Sequence, residues 1–325
     1  MIEAFLPMLK NVLVFIALAI PGYILVKTRV MKQEHSGVLS KLLMYVGMPF
    51  LILSGTLGVE LTGETVLNLV YALLIATGLT FIFFFLSILL VIKEKNRSDD
   101  QLWNKKVDGM ERFCSIFSNN GFLGLPLAIA VFGNGSVVFA YVVIFNIITN
   151  TLLYTIGVYL VSADKKTIDL KSIFLNPVLI AFVLGIILNV VGIKKYVPEI
   201  VAFSDHFKNI VTPLSMTILG MKMGGIKFSE MLGSWKTYYV SFKKLILVPV
   251  VSVAIVIALN KLFGLDENMV KATFVAFAMP TAALAPVFAD RYDGDVKGAT
   301  IYTLGNTVLS LITIPLLYLL LCLIV

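Results

Sequence analysis

Ser118-Asn119-Asn120-Gly121-Phe122-Leu123-Gly124-Leu125-Pro126 decides how this chain is read. It is polar at its start, holds two glycines and ends on proline. Yet it lies inside residues 113–163, 51 positions without one charged side chain. So long an uncharged run belongs in a bilayer, where a spanning helix must satisfy its own backbone. A helix breaker at that depth frees backbone groups that must then face protein, water or ligand. A second stretch of this kind, Met279-Pro280-Thr281-Ala282-Ala283-Leu284-Ala285-Pro286, lies about half the chain further on. Asn120 precedes Pro126 by six residues, as Pro280 precedes Pro286. Two interrupted helices at matching places in two halves point to the binding site of a secondary transporter.

Composition agrees. The chain has 325 residues, 59% hydrophobic and 14% charged, with mean hydropathy +0.96. Soluble domains carry about 25% charged residues, so the expected class is an all-α integral membrane protein. The net charge of +7 comes from lysines scattered between apolar spans. That pattern excludes nucleic acid as partner and fits anionic lipid headgroups. Cys114 and Cys322 lie in apolar surroundings with no disulfide or zinc spacing. An early Glu3, and apolar residues continuing past Pro21-Gly22, argue against a cleaved signal. No HExxH, GxSxG, phosphate loop or dinucleotide fingerprint occurs. The two histidines, His35 and His206, fall at span edges, so neither an enzyme, a cofactor nor a metal site is expected.

Ten segments have the length and apolarity of membrane helices: 6–27, 37–58, 65–92, 111–132, 136–161, 172–192, 203–223, 238–261, 268–289 and 299–324. The longest loop, 93–110, is charged (Lys93, Glu94, Lys95, Arg97, Asp99, Asp100, Lys105, Lys106, Asp108). Loops after the odd-numbered segments hold most of the lysine and arginine, including Lys27, Arg29, Lys32, Lys165, Lys166, Lys171, Lys227, Lys236, Arg291 and Lys297. The opposite set holds chiefly Lys194, Lys195 and Lys261. The rich side is expected in the cytoplasm of a multi-pass cell-membrane protein with both termini outside. Five segments followed by five run in opposite senses, so residues 1–163 and 164–325 form an expected inverted repeat. Met48-Pro49 in the second segment matches Thr212-Pro213 in the seventh. Asn146, Thr149 and Asn150 in the fifth match Thr303, Asn306 and Ser310 in the tenth.

Asn119 and Asn120 are amides in an apolar span, and each must find hydrogen-bond partners. Gly121 and Gly124 let the backbone bend and another segment approach. Pro126 removes a donor and frees a carbonyl one turn back. Half-helix N-termini beside such a break offer partial positive charge to an anion. A kinked helix packed through small residues would carry the same letters; the matching Pro280, Thr281 and Pro286 favour a binding site. Asn146 and Asn306 are expected at the same place, with interhelical hydrogen bonding as the rival role. Lys41, Lys208, Lys222, Lys243, Lys244 and Lys271 read as side chains snorkelling to an interface. Asp205, His206 and Lys208 read as a solvated helix start. No carboxylate sits mid-span.

Four further stretches carry a family resemblance: Asn176-Pro177-Val178-Leu179-Ile180; Thr212-Pro213-Leu214-Ser215-Met216-Thr217-Ile218-Leu219-Gly220; Pro280 with Pro286-Val287-Phe288-Ala289; and Ser310-Leu311-Ile312-Thr313-Ile314-Pro315-Leu316. Together they make the chain similar, over nearly its whole length, to the auxin efflux carrier family of plant PIN proteins and bacterial malonate or malate carriers. The resemblance implies ten helices in two inverted repeats, like bile-acid and sodium–proton carriers. It also implies a scaffold of helices 1, 2, 6 and 7, a transport domain of helices 3–5 and 8–10, an elevator motion and a homodimer. The plant Pro-Asn pair at the first break is Ser118-Asn119 here, and Pro280-Thr281 stands at the second. No long hydrophilic loop joins the halves. The expected cargo is a small organic anion, a mono- or dicarboxylate. Its expected contacts are Asn119, Asn120, Gly121, Gly124, Pro126, Asn146, Pro280, Thr281 and Asn306. Cation-coupled symport, or ligand sensing without transport, are the alternatives.

Overall fold

In a computed structural model the described residues are 2–92, 98–168 and 171–324. Lys93, Glu94, Lys95 and Arg97 of the charged loop lie outside them. Twelve helices organise the fold: α1 Ile2–Lys27, α2 His35–Gly58, α3 Gly63–Leu89, α4 Gln101–Ile116, α5 Asn120–Phe132, α6 Val137–Ser162, α7 Pro177–Val190, α8 Glu199–Gly224, α9 Trp235–Phe263, α10 Asn268–Ala278, α11 Ala285–Arg291 and α12 Val296–Ile324. Short helical turns join some of them. The segments α1, α2, α3, α6, α9 and α12 are long and apolar enough to cross a bilayer, while α5, α7 and α10 are shorter apolar helices. The protein is an all-helical membrane protein.

The expected fourth segment is realised as α4 plus α5, and the ninth as α10 plus α11. Residues 101–110, read from their charges as loop, are helix. Asp100 starts α4 by accepting hydrogen bonds from the backbone N–H of Leu102 and Trp103 at 2.8 and 3.1 Å. Such a cap satisfies donors that a helix start leaves unpaired. Lys106 is then buried, and its Nζ reaches Asp293 at 2.8 Å. That contact holds the exposed Asp293 carboxyl below its ordinary pKa.

Packing sorts the helices into two groups. One contains α1, α2, α7 and α8; the other contains α3–α6 and α9–α12. Within the first, α1 and α8 approach so closely that a side chain on Gly220 would strike the Ala19 carbonyl and one on Gly22 the Thr217 carbonyl. Small residues at such crossings are how membrane helices gain contact. Helix α7 shows its two faces plainly. Val178, Ala181 and Gly185 are buried, with Gly185 against Thr56 of α2, while Ile180, Val183, Leu184 and Ile187 face outward. An apolar outward stripe at helical spacing is what lipid requires.

Three of the prolines leave a common signature. Pro49, Pro126 and Pro249 each follow a wide turn: the N–H groups of Met48, Leu125 and Val248 bond the carbonyls five residues back, at Leu43, Asn120 and Lys243. Proline lacks an N–H, and its ring crowds the preceding turn. The helix widens there into a π-turn instead of breaking.

Candidate functional site

The two helix breaks meet. Helix α4 ends at Ile116, and Phe117 is extended at φ −83°, ψ 123°. Helix α10 ends at Ala278, and Met279 is extended at φ −64°, ψ 146°. Ser118 and Thr281 face each other as one antiparallel bridge. The Asn119 N–H donates to the Pro280 carbonyl at 2.8 Å, and the Ala282 N–H to the Phe117 carbonyl at 2.9 Å. Backbone groups freed by one break thus satisfy those of the other, as burial demands. The first break falls at 117–119, upstream of both glycines, and Pro126 sits inside α5 beyond it.

Behind the crossing, helix C-termini are capped. The Cys114 carbonyl, two residues before the end of α4, accepts from Thr281 Oγ1 at 2.6 Å. The Phe277 carbonyl, one residue before the end of α10, accepts from Lys244 Nζ at 3.0 Å. Lys244 also donates to Ser118 Oγ at 2.7 Å. Asn306 donates to Thr281 Oγ1 at 2.5 Å and accepts from Ser241. Amine and hydroxyl donors at helix C-termini suit the negative end of the dipole.

In front lies a cavity of about 390 Å3, within the range of small-molecule sites. Ser118, Asn119, Gly121, Phe122, Asn146 and Asn150 line its inner end, where α5 begins. The first N–H groups of a helix have no intrahelical partner, so this start faces the cavity with partial positive charge. Asn150 Nδ2 donates to Asn146 Oδ1 at 3.0 Å, which leaves Asn146 Nδ2 buried with no protein partner. Met44, Met48, Leu153 and Tyr154 form an apolar wall, and exposed Lys171 and Arg291 stand at the rim. A second cavity of about 570 Å3 shares Met44, Tyr45, Tyr154 and Arg291 and extends past Lys41 and Lys222. Both open toward the lysine-rich loops.

On the opposite side the two helix groups are in contact. Gly58 and Gly135 touch so closely that a Cβ on either would come within 2.8 Å of the other's Cα. Ser54 donates to Asp205 Oδ1 at 2.6 Å and accepts from Asn134 at 3.1 Å, while Lys208 pairs with Asp205 at 2.6 Å. Asp205 and Lys208, read as solvated, are therefore tied to α2 and to the turn before α6; His206 is exposed.

Of the expected contacts, Asn119, Gly121 and Asn146 line the cavity. Thr281 and Asn306 are fully buried behind the crossing, and Pro280 contributes its carbonyl to the bridge. Asn120 is buried and donates to Thr149 Oγ1 at 3.3 Å; its Oδ1 has no protein partner. Gly124 packs against Met279, and Pro126 is buried in α5. Three lysines read as snorkelling turn inward. Lys222 donates to the Ala283 carbonyl at 2.9 Å, and Lys243 pairs with fully buried Glu111 at 2.5 Å. Lys244 is the third. Helix α9 starts at Trp235, earlier than expected, which carries residues 243 and 244 about 13 Å along it at 1.5 Å per residue. Depth counted from Trp235 would have flagged them.

A helical membrane protein with two bonded helix breaks beside a polar cavity has the architecture of a carrier, and comparison with known proteins gives its class. A family profile described as membrane transport protein matches residues 7–318, and the chain belongs to this family, that of the auxin efflux carriers. An uncharacterized transporter of Methanothermobacter thermautotrophicus is 27% identical over 315 residues, covering 94% of this chain and 96% of the relative. An uncharacterized transporter of Methanocaldococcus jannaschii is 26% identical over 311 residues, with the same coverage of both chains. Family and relatives indicate a transporter rather than an enzyme.

Proposed function

We propose that the protein moves a small organic anion across the cell membrane by alternating access, with the crossing of the two breaks as its binding site. The observation that carries this is Asn146 Nδ2, a buried amide donor without a protein partner at the inner end of the cavity. Leaving such a group unpaired costs roughly 1–3 kcal/mol, which a carboxylate oxygen would recover. Asn119, which also lines the cavity, and the N-terminal backbone of α5 at Gly121 complete an anion seat. Ser118 and Asn150 add polar contacts, and the methionine and tyrosine wall takes the apolar body. Asn120, Thr281 and Asn306 act as braces of the crossing.

The group α1, α2, α7 and α8 serves as scaffold. The group α3–α6 and α9–α12 carries the site past it in an elevator motion. The two-group packing supports this, as does a cavity open on one side with the two groups in contact on the other. With the lysine-rich loops in the cytoplasm, the conformation is inward-facing and both termini lie outside. A homodimer held by scaffold helices is part of this reading; the outward apolar stripe of α7 is available to it.

The test is counterflow of radiolabelled malate, malonate and indole-3-acetate in proteoliposomes. Saturable exchange of at least one is expected. Asn119→Ala and Asn146→Ala should each weaken half-saturation about 10- to 100-fold, the equivalent of one charge-assisted hydrogen bond, with unchanged thermal stability. Wild-type exchange in both variants would remove the site. Saturable binding without counterflow would make the protein a sensor.

A further inference from the structure

Lys244 is fully buried, nine residues into α9 and inside the π-turn that Pro249 imposes. At 1.5 Å per residue that depth is close to half the ~30 Å hydrocarbon thickness. Its neighbour Lys243 has a counter-charge, Glu111, which Lys236 also approaches at 3.4 Å. Lys244 pairs with no carboxylate among the described residues; its partners are a hydroxyl and a carbonyl. The helices packed around it carry two carboxylates, Asp108 and Glu111, both on α4; their other titratable groups include Arg112 and Cys114 on α4, Lys271 on α10 and Tyr302 on α12. Glu111 is held by Lys243 and Lys236 and Asp108 acts on Arg112, and neither is a partner of Lys244. An ammonium stripped of water and counter-ion is strongly disfavoured. An anion in the cavity would be that counter-ion, one hydroxyl away, because Ser118 both meets Lys244 and lines the cavity.

The shared hydroxyl makes the link specific. A protonated Lys244 donates to Ser118 Oγ, which frees the Ser118 hydrogen to bond a carboxylate in the cavity. A neutral Lys244 keeps an N–H on the Phe277 carbonyl and gains a lone pair, which can take the Ser118 hydrogen and withdraw that donor from the cavity. Proton and anion therefore favour each other, reciprocally.

We infer that Lys244 is the proton carrier of this transporter, taking up one proton as an organic anion docks and releasing it as the anion leaves. The proton passes from water on the loading side to Nζ, and from Nζ to water on the unloading side. A monoanion then crosses with no net charge. This rests on the transport reading above and adds its driving ion.

The experiment uses proteoliposomes and whichever of the three labelled anions gives counterflow. In the wild type, an outside-acid gradient should drive accumulation approaching about tenfold per pH unit, the limit for one proton per anion. Lys244→Met should lose gradient-driven accumulation, and the counterflow that remains should need more anion for half-saturation and no longer depend on pH. Lys244→Arg, permanently charged, should keep exchange of loaded carriers, lose net uptake, and bind the anion with an affinity that no longer falls as pH rises. Wild-type counterflow indifferent to the pH gradient overturns the inference and leaves transport standing. So does gradient-driven accumulation that survives in either variant. Absence of counterflow for every anion tested in the wild type sinks the transport reading itself.

Discussion

At the scale of single residues, the helix group α3–α6 and α9–α12 is held together by charge where lipid would forbid it. Glu111 is fully buried between Lys243 and Lys236, and Lys243 also lies over the Tyr239 ring at 4.5 Å. Removing the carboxylate strands two cations. Glu111→Gln is expected to cost about 3–5 kcal/mol, read as a lowered melting temperature in detergent. Replacing Glu111 and Lys243 together by methionine should restore most of it, because an apolar pair needs no compensation. The amides were legible in the sequence: Asn119, Asn120 and Asn146 stand out in an uncharged span, and no soluble-protein role competes there. Lys244 was not. A lysine a few residues past a helix start reads as reaching for headgroups, and only the true start at Trp235 places it deep.

At the scale of elements, proline sets the geometry of the site by widening helices. The turn before Pro249 aims Lys243 at Glu111 and Lys244 at Ser118. Pro249→Ala restores the missing donor, allows ordinary α-helical bonding, and turns these side chains by about one residue's rotation. Exchange should fall roughly tenfold or more while the melting temperature holds; unchanged exchange would show that the wide turn does not aim the site. That two helices are interrupted could be read from Gly121, Gly124, Pro126, Pro280 and Pro286. Where the first is interrupted could not. Its break is fixed by pairing with residues 280–282, some 160 positions away, which no local pattern encodes. The start of α4 was hidden because Lys105, Lys106 and Asp108 resemble loop charges until Lys106 finds Asp293.

At the scale of the whole molecule, one side is open and the other latched. Ser54, Asp205, Lys208 and Asn134 join α2 and α8 to the turn before α6, and Gly58 seats on Gly135. The proposed elevator stroke would have to part all of these, and also Lys222 from Ala283 on the other side. Asp205→Ala should loosen the latch. A cysteine placed at Asn150, with Cys114 and Cys322 replaced by alanine, should then react several-fold faster with a membrane-impermeant thiol reagent from the lysine-poor side. Equal rates would show that the latch does not set the balance. The all-helical membrane class was readable from hydropathy alone. The latch was not, since Ser54 and Asp205 are 151 residues apart.

The mutual bonding of residues 117–119 with 280–282 also constrains biogenesis. Ribosomes add about 5–20 residues per second, so the earlier partner waits roughly ten to thirty seconds for the later one. Through that interval its amide and carbonyl groups must be sheltered, by water or by the insertion machinery, from hydrocarbon. Release into lipid must therefore come late, after α10 has emerged, and the nascent polypeptide is delivered to the bilayer as a bundle rather than helix by helix.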